Sequence, residues 1–501
     1  MSVTRLQQAE HAPLALTDSI WFWLCLHLCV WTLYATISEY PGNVHHDMAE
    51  AFAWGREFEP GYYKHPPFWS HVAGIWFMAM PRDDWAFYLL SILNACIGLW
   101  GVWLIAGRFL GRDKRLVAVL LMQFVPFFHF LGFKYNANTI LLSLWPFAIY
   151  FYLRLVDERS VAMGLMLGLV SALGMLSKYY FALLLVSFAV MTLADPRRRG
   201  VLATAAPWIA IATMTVVAAP HLVWLWQNDF LPFHYVSATI GDDLATRTMR
   251  AVRYLAGVAA FHIVMLLVFA GLAKHPLDAV SRVFSIQKGE HARNHLIALT
   301  ILPHILTVAA SLGAGVKIDP NFAVATLPLG GIILMTTSGV AMRFDALRRI
   351  KLLAAGFMLA MLLLSPAISY VRFLQDNGNA QQPWPEMART LETIWDERVG
   401  TPLTIAAGTS PHAEVISFYA AGDVSAFVGM NERLAPWVTQ ERIEREGVAV
   451  LCRATDAGCE AAAQARLGEP PIREAFEITR SHWGIEGNRV DFVALLYPPQ
   501  R

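Results

Sequence analysis

The sequence predicts a mainly α, polytopic membrane protein of about eleven transmembrane helices, with a small α/β C-terminal extracytoplasmic domain. Three observations predict it. Of the 501 residues, 56% are hydrophobic and 15% charged, against about 25% charged in average soluble domains. Apolar runs recur from residue 20 to residue 371, most near the roughly 20 residues that cross a bilayer as a helix. From about residue 372 the chain becomes charged and the long runs stop. The 17 Trp and 29 Phe suit anchors at the membrane–water interfaces. A net charge of +1 gives no electrostatic support to a nucleic-acid partner.

Residues 1–18 are polar and are expected in the cytoplasm. The first run, Ile20 to Ile37, is long enough to span and lacks an Ala-x-Ala exit, so it reads as a retained helix rather than a cleaved signal. Further runs lie near 86–107, 115–131, 138–155, 161–176, 179–194, 202–226, 252–273, 295–313, 321–341 and 351–371. The short 161–176 and 179–194 runs meet at Ser177-Lys178-Tyr179-Tyr180, as a tight hairpin would. With the N-terminus inside, inner segments carry 18 Lys and Arg, among them Arg5, Lys288 and the Arg197-Arg198-Arg199 topology signal. The outer segments before the tail carry 9, and the opposite orientation reverses the bias. The expected domains are therefore a membrane part, 1–371, whose first outer loop is 40–85, and a soluble part, 372–501. In a bacterium the loop and the tail face the periplasm from the inner membrane.

In the tail, Trp384 to Glu397 and Arg453 to Leu467 read as helices. Thr401–Ala407, Val448–Cys452 and Val490–Tyr497 read as strands. Five cysteines are too few for a disulfide scaffold. Cys25, Cys29 and Cys96 sit in apolar runs as packing residues. Cys452 and Cys459 either pair, in an oxidising compartment, or stay free thiols. No Cys/His spacing resembles a zinc site.

The first outer loop is richest in chemistry. His45 and His46 precede Asp47, and Glu50 follows three residues on, so the two carboxylates share a face if this stretch is helical. Such a pair suits general-base work on an acceptor hydroxyl or amine. It equally suits a helix start with Asp47 as N-cap and Glu50 at the third position. Tyr62-Tyr63-Lys64-His65-Pro66-Pro67 closes the loop, the prolines fixing an extended exit. Lys64 and His65 there can face a lipid-level phosphate, or Lys64 can snorkel beside an aromatic belt. Lys134-Tyr135-Asn136-Ala137-Asn138 and Lys178-Tyr179-Tyr180 each set a cation and a phenol at one membrane depth, and Lys317 precedes a later run. Four outer lysines converging on one phosphate explain this pattern, and so do four independent snorkelling lysines. His221, Asn228-Asp229 and His234-Tyr235 either line the same cavity or are interfacial residues, and His262 and His304 read as intramembrane packing.

These motifs resemble the GT-C-type membrane glycosyltransferases, within them the protein O-mannosyltransferase-like group that includes bacterial lipid A aminoarabinose and galacturonic acid transferases (glycosyltransferase family 39-like). Asp47-Met48-Ala49-Glu50 after the first span and Gly61-Tyr62-Tyr63-Lys64-His65-Pro66-Pro67 carry the resemblance, which covers about 40–340. It implies a polyprenyl-phosphate-linked sugar donor and inverting transfer to a lipid, glycan or protein acceptor at the bilayer. It implies Asp47 as base, with Glu50 in the second carboxylate role unless no second acid is needed. Lys64, His65, Lys134, Tyr135, Lys178, Tyr179 and Lys317 would face the donor phosphate. His45, His46, Tyr62, Tyr63, Asn136 and Asn138 would contact acceptor or sugar. Family members often carry adjacent Asp-Glu, whereas Met48 follows Asp47 here. No cofactor is required, and the departure leaves a divalent cation open. A transporter of a lipid-linked glycan and a non-catalytic assembly partner are the competing readings. Charges gathered at the outer rim rather than mid-membrane favour the enzyme over the transporter.

Overall fold

The computed structural model describes residues 15–41, 43–237, 240, 242–285, 290–375 and 382–500. The polar 1–14 segment with Arg5, and Lys288, both assigned above to the inner side, lie outside the described residues. Every apolar run contains helix, but not of equal length. Among the described residues six helices are long and apolar enough to cross a membrane: Ile20–Ser38, Asp84–Ala106, Ala206–Gln227, Leu244–Leu272, His291–Ala314 and Ala346–Gln375. The pair Tyr179–Ala194 and Pro196–Ala203, bent by 102°, makes a seventh if counted as one span.

The remaining runs differ from full-length spans for local reasons. The 115–131 run is helical over Arg112–Met122 and then turns through Pro126. Leu141–Glu158 ends in Arg154, Asp157 and Glu158. Val161–Met175 has 15 residues. The 321–341 run splits around Pro328 into Pro320–Ala325 and Gly330–Thr336. Close helix contact is built from small residues. A Cβ on Gly164 or Gly168 would lie 2.5 Å from the carbonyl oxygen of Ala206 or Ala210, so Val161–Met175 packs backbone to backbone on Ala206–Gln227.

The C-terminal part is a five-stranded mixed sheet in the order β2-β1-β3-β5-β4, with β1 Ile405–Gly408, β2 Ser425–Val428, β3 Val448–Arg453, β4 Ile472–His482 and β5 Ile485–Tyr497. The first three strands are parallel, and β5 runs antiparallel to β3 and β4. The expected helices appear as Trp384–Val399 and Ala457–Leu467. Two strands, β2 and β4, and the helices His412–Tyr419 and Gln440–Glu446 were not expected. Cys452 and Cys459 are joined in a disulfide.

This domain sits on the first loop. The loop residues fold as two helices, His46–Gly55 and Phe68–Phe77. Phe418 of helix His412–Tyr419 packs among Phe52, Phe77 and Phe87, with ring centroids 5.3 to 5.5 Å away. Polar clamps surround that cluster. The Tyr419 hydroxyl donates to Asp84 Oδ1 at 2.7 Å and accepts from the Val44 N–H at 2.7 Å. Arg82 donates to the carbonyls of Ala421 and Gly422, and Arg56 pairs with Asp423 at 2.6 Å.

Candidate active site

The site starts at the first turn of helix His46–Gly55. His45, not Asp47, is its N-cap: the Asp47 N–H donates to His45 Nδ1 at 3.3 Å. Asp47 lies instead in the first turn, where the helix dipole favours a carboxylate. The helix is pinned from behind. A Cβ on Gly55 would lie 2.0 Å from the Ser70 carbonyl oxygen, and one on Gly74 2.2 Å from that of Gly55. Only paired glycines allow helix Phe68–Phe77 to hold the site helix this closely.

Asp47 keeps 28% of its side chain exposed and is held from three sides. His46 Nε2 stands 3.1 Å from Oδ1, Asn136 Nδ2 donates to Oδ2 at 3.0 Å, and His45 Nδ1 is 3.7 Å from Oδ2. Burial works to raise its pKa, but the His46 hydrogen bond, with the charges of His45, His46 and Lys64, outweighs it and holds the carboxyl well below its usual range. It is therefore a carboxylate at neutral pH, free to accept a proton from a bound group.

Asn136 and Asn138 tie this acid to a cation. Asn136 Oδ1 accepts the N–H groups of Asn138 and Thr139, at 2.9 and 3.0 Å, which fixes the turn. The Lys178 ammonium donates to Asn138 Oδ1 and lies 4.1 Å from the centre of the Phe322 ring. Burial lowers the Lys178 pKa to about 8, with Asp47 opposing the shift and Lys64 adding to it. His65 lies between charges of both kinds. Burial, Lys178 and Lys64 push it well below the usual imidazole range, so it is neutral.

Glu50 and Lys64 form a pair of their own, 2.6 Å apart, with Glu50 only 6% exposed. Burial pushes the Glu50 carboxyl up to about 7, against the pull of Lys64. For Lys64 burial disfavours the charge, but Glu50 and Tyr63 outweigh it, so the ammonium's pKa is raised. The Lys64 Nζ also lies 5.6 and 5.9 Å from the Trp54 and Tyr63 ring centres.

Other sequence candidates act as frame. Tyr62 is buried, stacks on Trp54 at 4.7 Å and donates to the Trp54 carbonyl at 2.6 Å. Tyr135 is fully buried and donates to the Trp69 carbonyl at 2.8 Å. Each hydroxyl, expected at the acceptor or the phosphate, here donates to a backbone carbonyl. Tyr179 bonds His221 Nε2 at 2.8 Å, whose Nδ1 bonds the Pro60 carbonyl at 2.8 Å, so His221 straps the second lysine turn to the first loop. Lys134 is half-buried and lies near enough for its charge to act on His45. Lys317 is exposed, and Asp319, two residues on, is the group that acts on Lys178. Tyr63 meets Tyr235 edge to face at 5.9 Å.

Glu414 was missed from the sequence. It sits on helix His412–Tyr419, is 1% exposed, accepts from Ser410 at 2.9 Å, and its Oε2 has no partner among the described residues. Its charge acts on Glu50 and Tyr63, so the C-terminal domain places an acid against the loop. No local spacing marks it, because only the docking brings it there. His45, His46 and Asp47 offer three donor atoms within 4.8 Å of one another, a set that suits a borderline cation such as zinc better than magnesium. Asp47 and Glu50 do not form an acid pair for a metal, since Glu50 is taken by Lys64.

Long apolar helices, a charged cluster at one end of them and a capping sheet domain define a multi-pass membrane protein of the GT-C fold. The crystal structure of ArnT from Cupriavidus metallidurans bound to undecaprenyl phosphate shares this fold, with a TM-score of 0.63 at 14% identity over 96% of this chain and 98% of that chain. Within this class, residues 64–224 match the dolichyl-phosphate-mannose-protein mannosyltransferase family. The matched segment includes Lys64, Asn136 and Lys178, and Asp47 and Glu50 lie just before it. The chain is 29% identical over 249 residues to the lipopolysaccharide core galacturonosyltransferase RgtA of Rhizobium johnstonii, covering 46% of each. It is 25% identical over 291 residues to the lipid A galacturonosyltransferase RgtD of the same organism, covering 57% of this chain and 59% of that one. The chain spans about half the length of the curated relatives it matches.

Proposed function

We propose that this protein is an inverting glycosyltransferase that moves a sugar from a polyprenyl-phosphate donor to a lipid, glycan or protein acceptor. The observation that carries the reading is the Asn136–Ala137–Asn138 turn, which holds the Asp47 carboxylate at one end and the Lys178 ammonium at the other. A base and a cation fixed side by side suit a displacement at a carbon between them. Asp47 takes the proton of the acceptor hydroxyl as its oxygen attacks the anomeric carbon. The bond from that carbon to the phosphate oxygen breaks, and the charge left on the polyprenyl phosphate is met by Lys178. Lys64 adds positive charge, reduced by Glu50. Lipopolysaccharide core and lipid A, named for the relatives, favour an acceptor of that type.

The same reading has all eleven apolar runs crossing the inner membrane, the site and sheet domain being periplasmic. Support comes from parity. Lys64, Asn136, Lys178 and the sheet domain all fall on one side of the bilayer when every run crosses.

The test is transfer of radiolabelled sugar from polyprenyl-phosphate-sugar donors to membrane extracts by the wild type and Asp47→Asn. Transfer that drops roughly 100-fold or more in the variant supports the base assignment. Equal transfer by both proteins refutes it, and donor binding without transfer in either refutes the enzyme reading.

A further inference from the structure

At the opposite end of the helices lies a second charged cavity, of about 680 Å³, that the transfer reading does not use. Helix Asp84–Ala106 fixes its distance. Asp84 is bonded to Tyr419 at the site end, and Arg108, two residues past the other end, lines the cavity. Its 23 residues span about 34 Å, one bilayer thickness.

Four arginines enter this cavity from three separate helix ends: Arg108, Arg159, Arg197 and Arg198. Two carboxylates answer them, Asp157 beside Arg108 and Asp195 at 3.2 Å from Arg198, which leaves two positive charges in excess. Two of the arginines also bond imidazoles. Arg198 Nη1 lies 2.6 Å from His295 Nε2, and Arg197 Nη2 lies 3.4 Å from His291 Nε2. A guanidinium has no acceptor, so each imidazole nitrogen receives the bond. Arg159 closes its helix at φ 51°, a left-handed position that glycine ordinarily fills. Apolar side chains complete the wall: Phe109, Leu153, Val156 and Met191.

A topology signal needs only basic residues at a membrane face. It does not require them to converge on one cavity and to bond imidazole nitrogens there. We infer that this cavity binds a phosphate-bearing anion, and that its apolar wall favours the head group of an anionic phospholipid over free phosphate. Arginine forks match phosphate oxygens, and basic pockets between membrane helices hold such head groups. The inference does not depend on the sugar-transfer reading.

The test uses the purified full chain in neutral detergent. Native mass spectrometry measures retention of added phosphatidylglycerol and phosphatidylcholine by the wild type, Arg197→Gln/Arg198→Gln and Arg348→Gln/Arg349→Gln. The last pair lies on the helix that reaches the same end of the protein, where Lys351 meets Asp18, and does not line the cavity. The expected result is preferential retention of phosphatidylglycerol, weakened roughly tenfold or more in the cavity variant and less than twofold in the control. Equal loss in both variants, or equal retention of the two lipids, overturns the proposal. Hydrogen exchange on the wild type needs no variant. Phosphatidylglycerol, and not phosphatidylcholine, should protect residues 195–203 and 291–296. Protection by inorganic phosphate as well assigns the site to free phosphate, and protection by neither overturns it.

Discussion

Lys64 Nζ stands 2.6 Å from Glu50 Oε1 in the loop that also carries Asp47, so two residues that each look catalytic in the sequence neutralise one another. Removing either partner leaves the other largely buried without its ion-pair partner. Glu50→Gln and Lys64→Met should each lower stability by roughly 3 kcal/mol, and the double variant by clearly less than the sum. Denaturant unfolding in detergent measures the cycle. Additive losses would show that the pair does not hold the loop, and that Glu50 and Lys64 act separately.

Lys178 gives the site its expected pH limit. Burial sets its pKa at about 8, so the ammonium is present below that value and lost as pH rises through it. Asp47 stays ionised across the same range. Transfer should therefore fall above about pH 8, as a rise in the KM for donor. Lys178→Met should lose roughly 100-fold in kcat/KM. Lys178→Arg should keep part of the activity and move the alkaline limit upward, because a guanidinium does not titrate there. A limit that stays in place in the arginine variant would assign the titration to another group.

Much of this was legible in the sequence, though not all at the same level. The eleven apolar runs mark the helices, and Asp47, Lys64, Asn136, Asn138 and Lys178 stand out because a linking loop has no need of them. Pairing was not legible. Lys134-Tyr135 and Lys178-Tyr179 look alike as sequence, yet Tyr135 turns into the packing against Trp69 while Tyr179 bonds His221. That difference is set by which neighbouring helix closes over each turn. Span lengths were misjudged where Pro126 and Pro328 interrupt apolar stretches, since hydropathy does not register a lost backbone donor. β2 has four residues, too few for periodicity, and the charged Glu474 and Arg480 on the more buried face obscure the alternation of β4. Glu414 reaches the site only because Phe418, one turn further on, docks the domain.

Tyr419 is the polar pivot of that docking. Its hydroxyl accepts from the Val44 N–H and donates to Asp84, each at 2.7 Å. Tyr419→Phe leaves both buried groups without this partner, at a cost of roughly 2–4 kcal/mol. Residues 43–50 should then exchange their amide hydrogens faster, and transfer should fall although no reacting group has changed. Faster exchange with normal transfer would show that the cap is dispensable for the chemistry.

The Cys452–Cys459 disulfide tests whether stability of the sheet domain and chemistry of the site can be separated. Cys452 lies on the face of β3 with Val448 and Val450, which pack with Cys459 and Ala463 of helix Ala457–Leu467. Ala449 and Leu451, on the other face, belong to the core that includes helix His412–Tyr419 and the first loop. The bridge therefore staples the side of the sheet turned away from the site. Seven positions separate its cysteines, and closing so short a loop contributes about 2.5 kcal/mol. Cys452→Ser, or reduction of the wild type, should lower the unfolding midpoint of the domain. At temperatures well below that midpoint the transfer rate should stay unchanged. Unfolding curves with and without reductant, read beside transfer at the same temperatures, check both halves. A loss of transfer while the domain is still folded would mean that strain crosses β3 to helix His412–Tyr419, and so to Glu414 and Glu50.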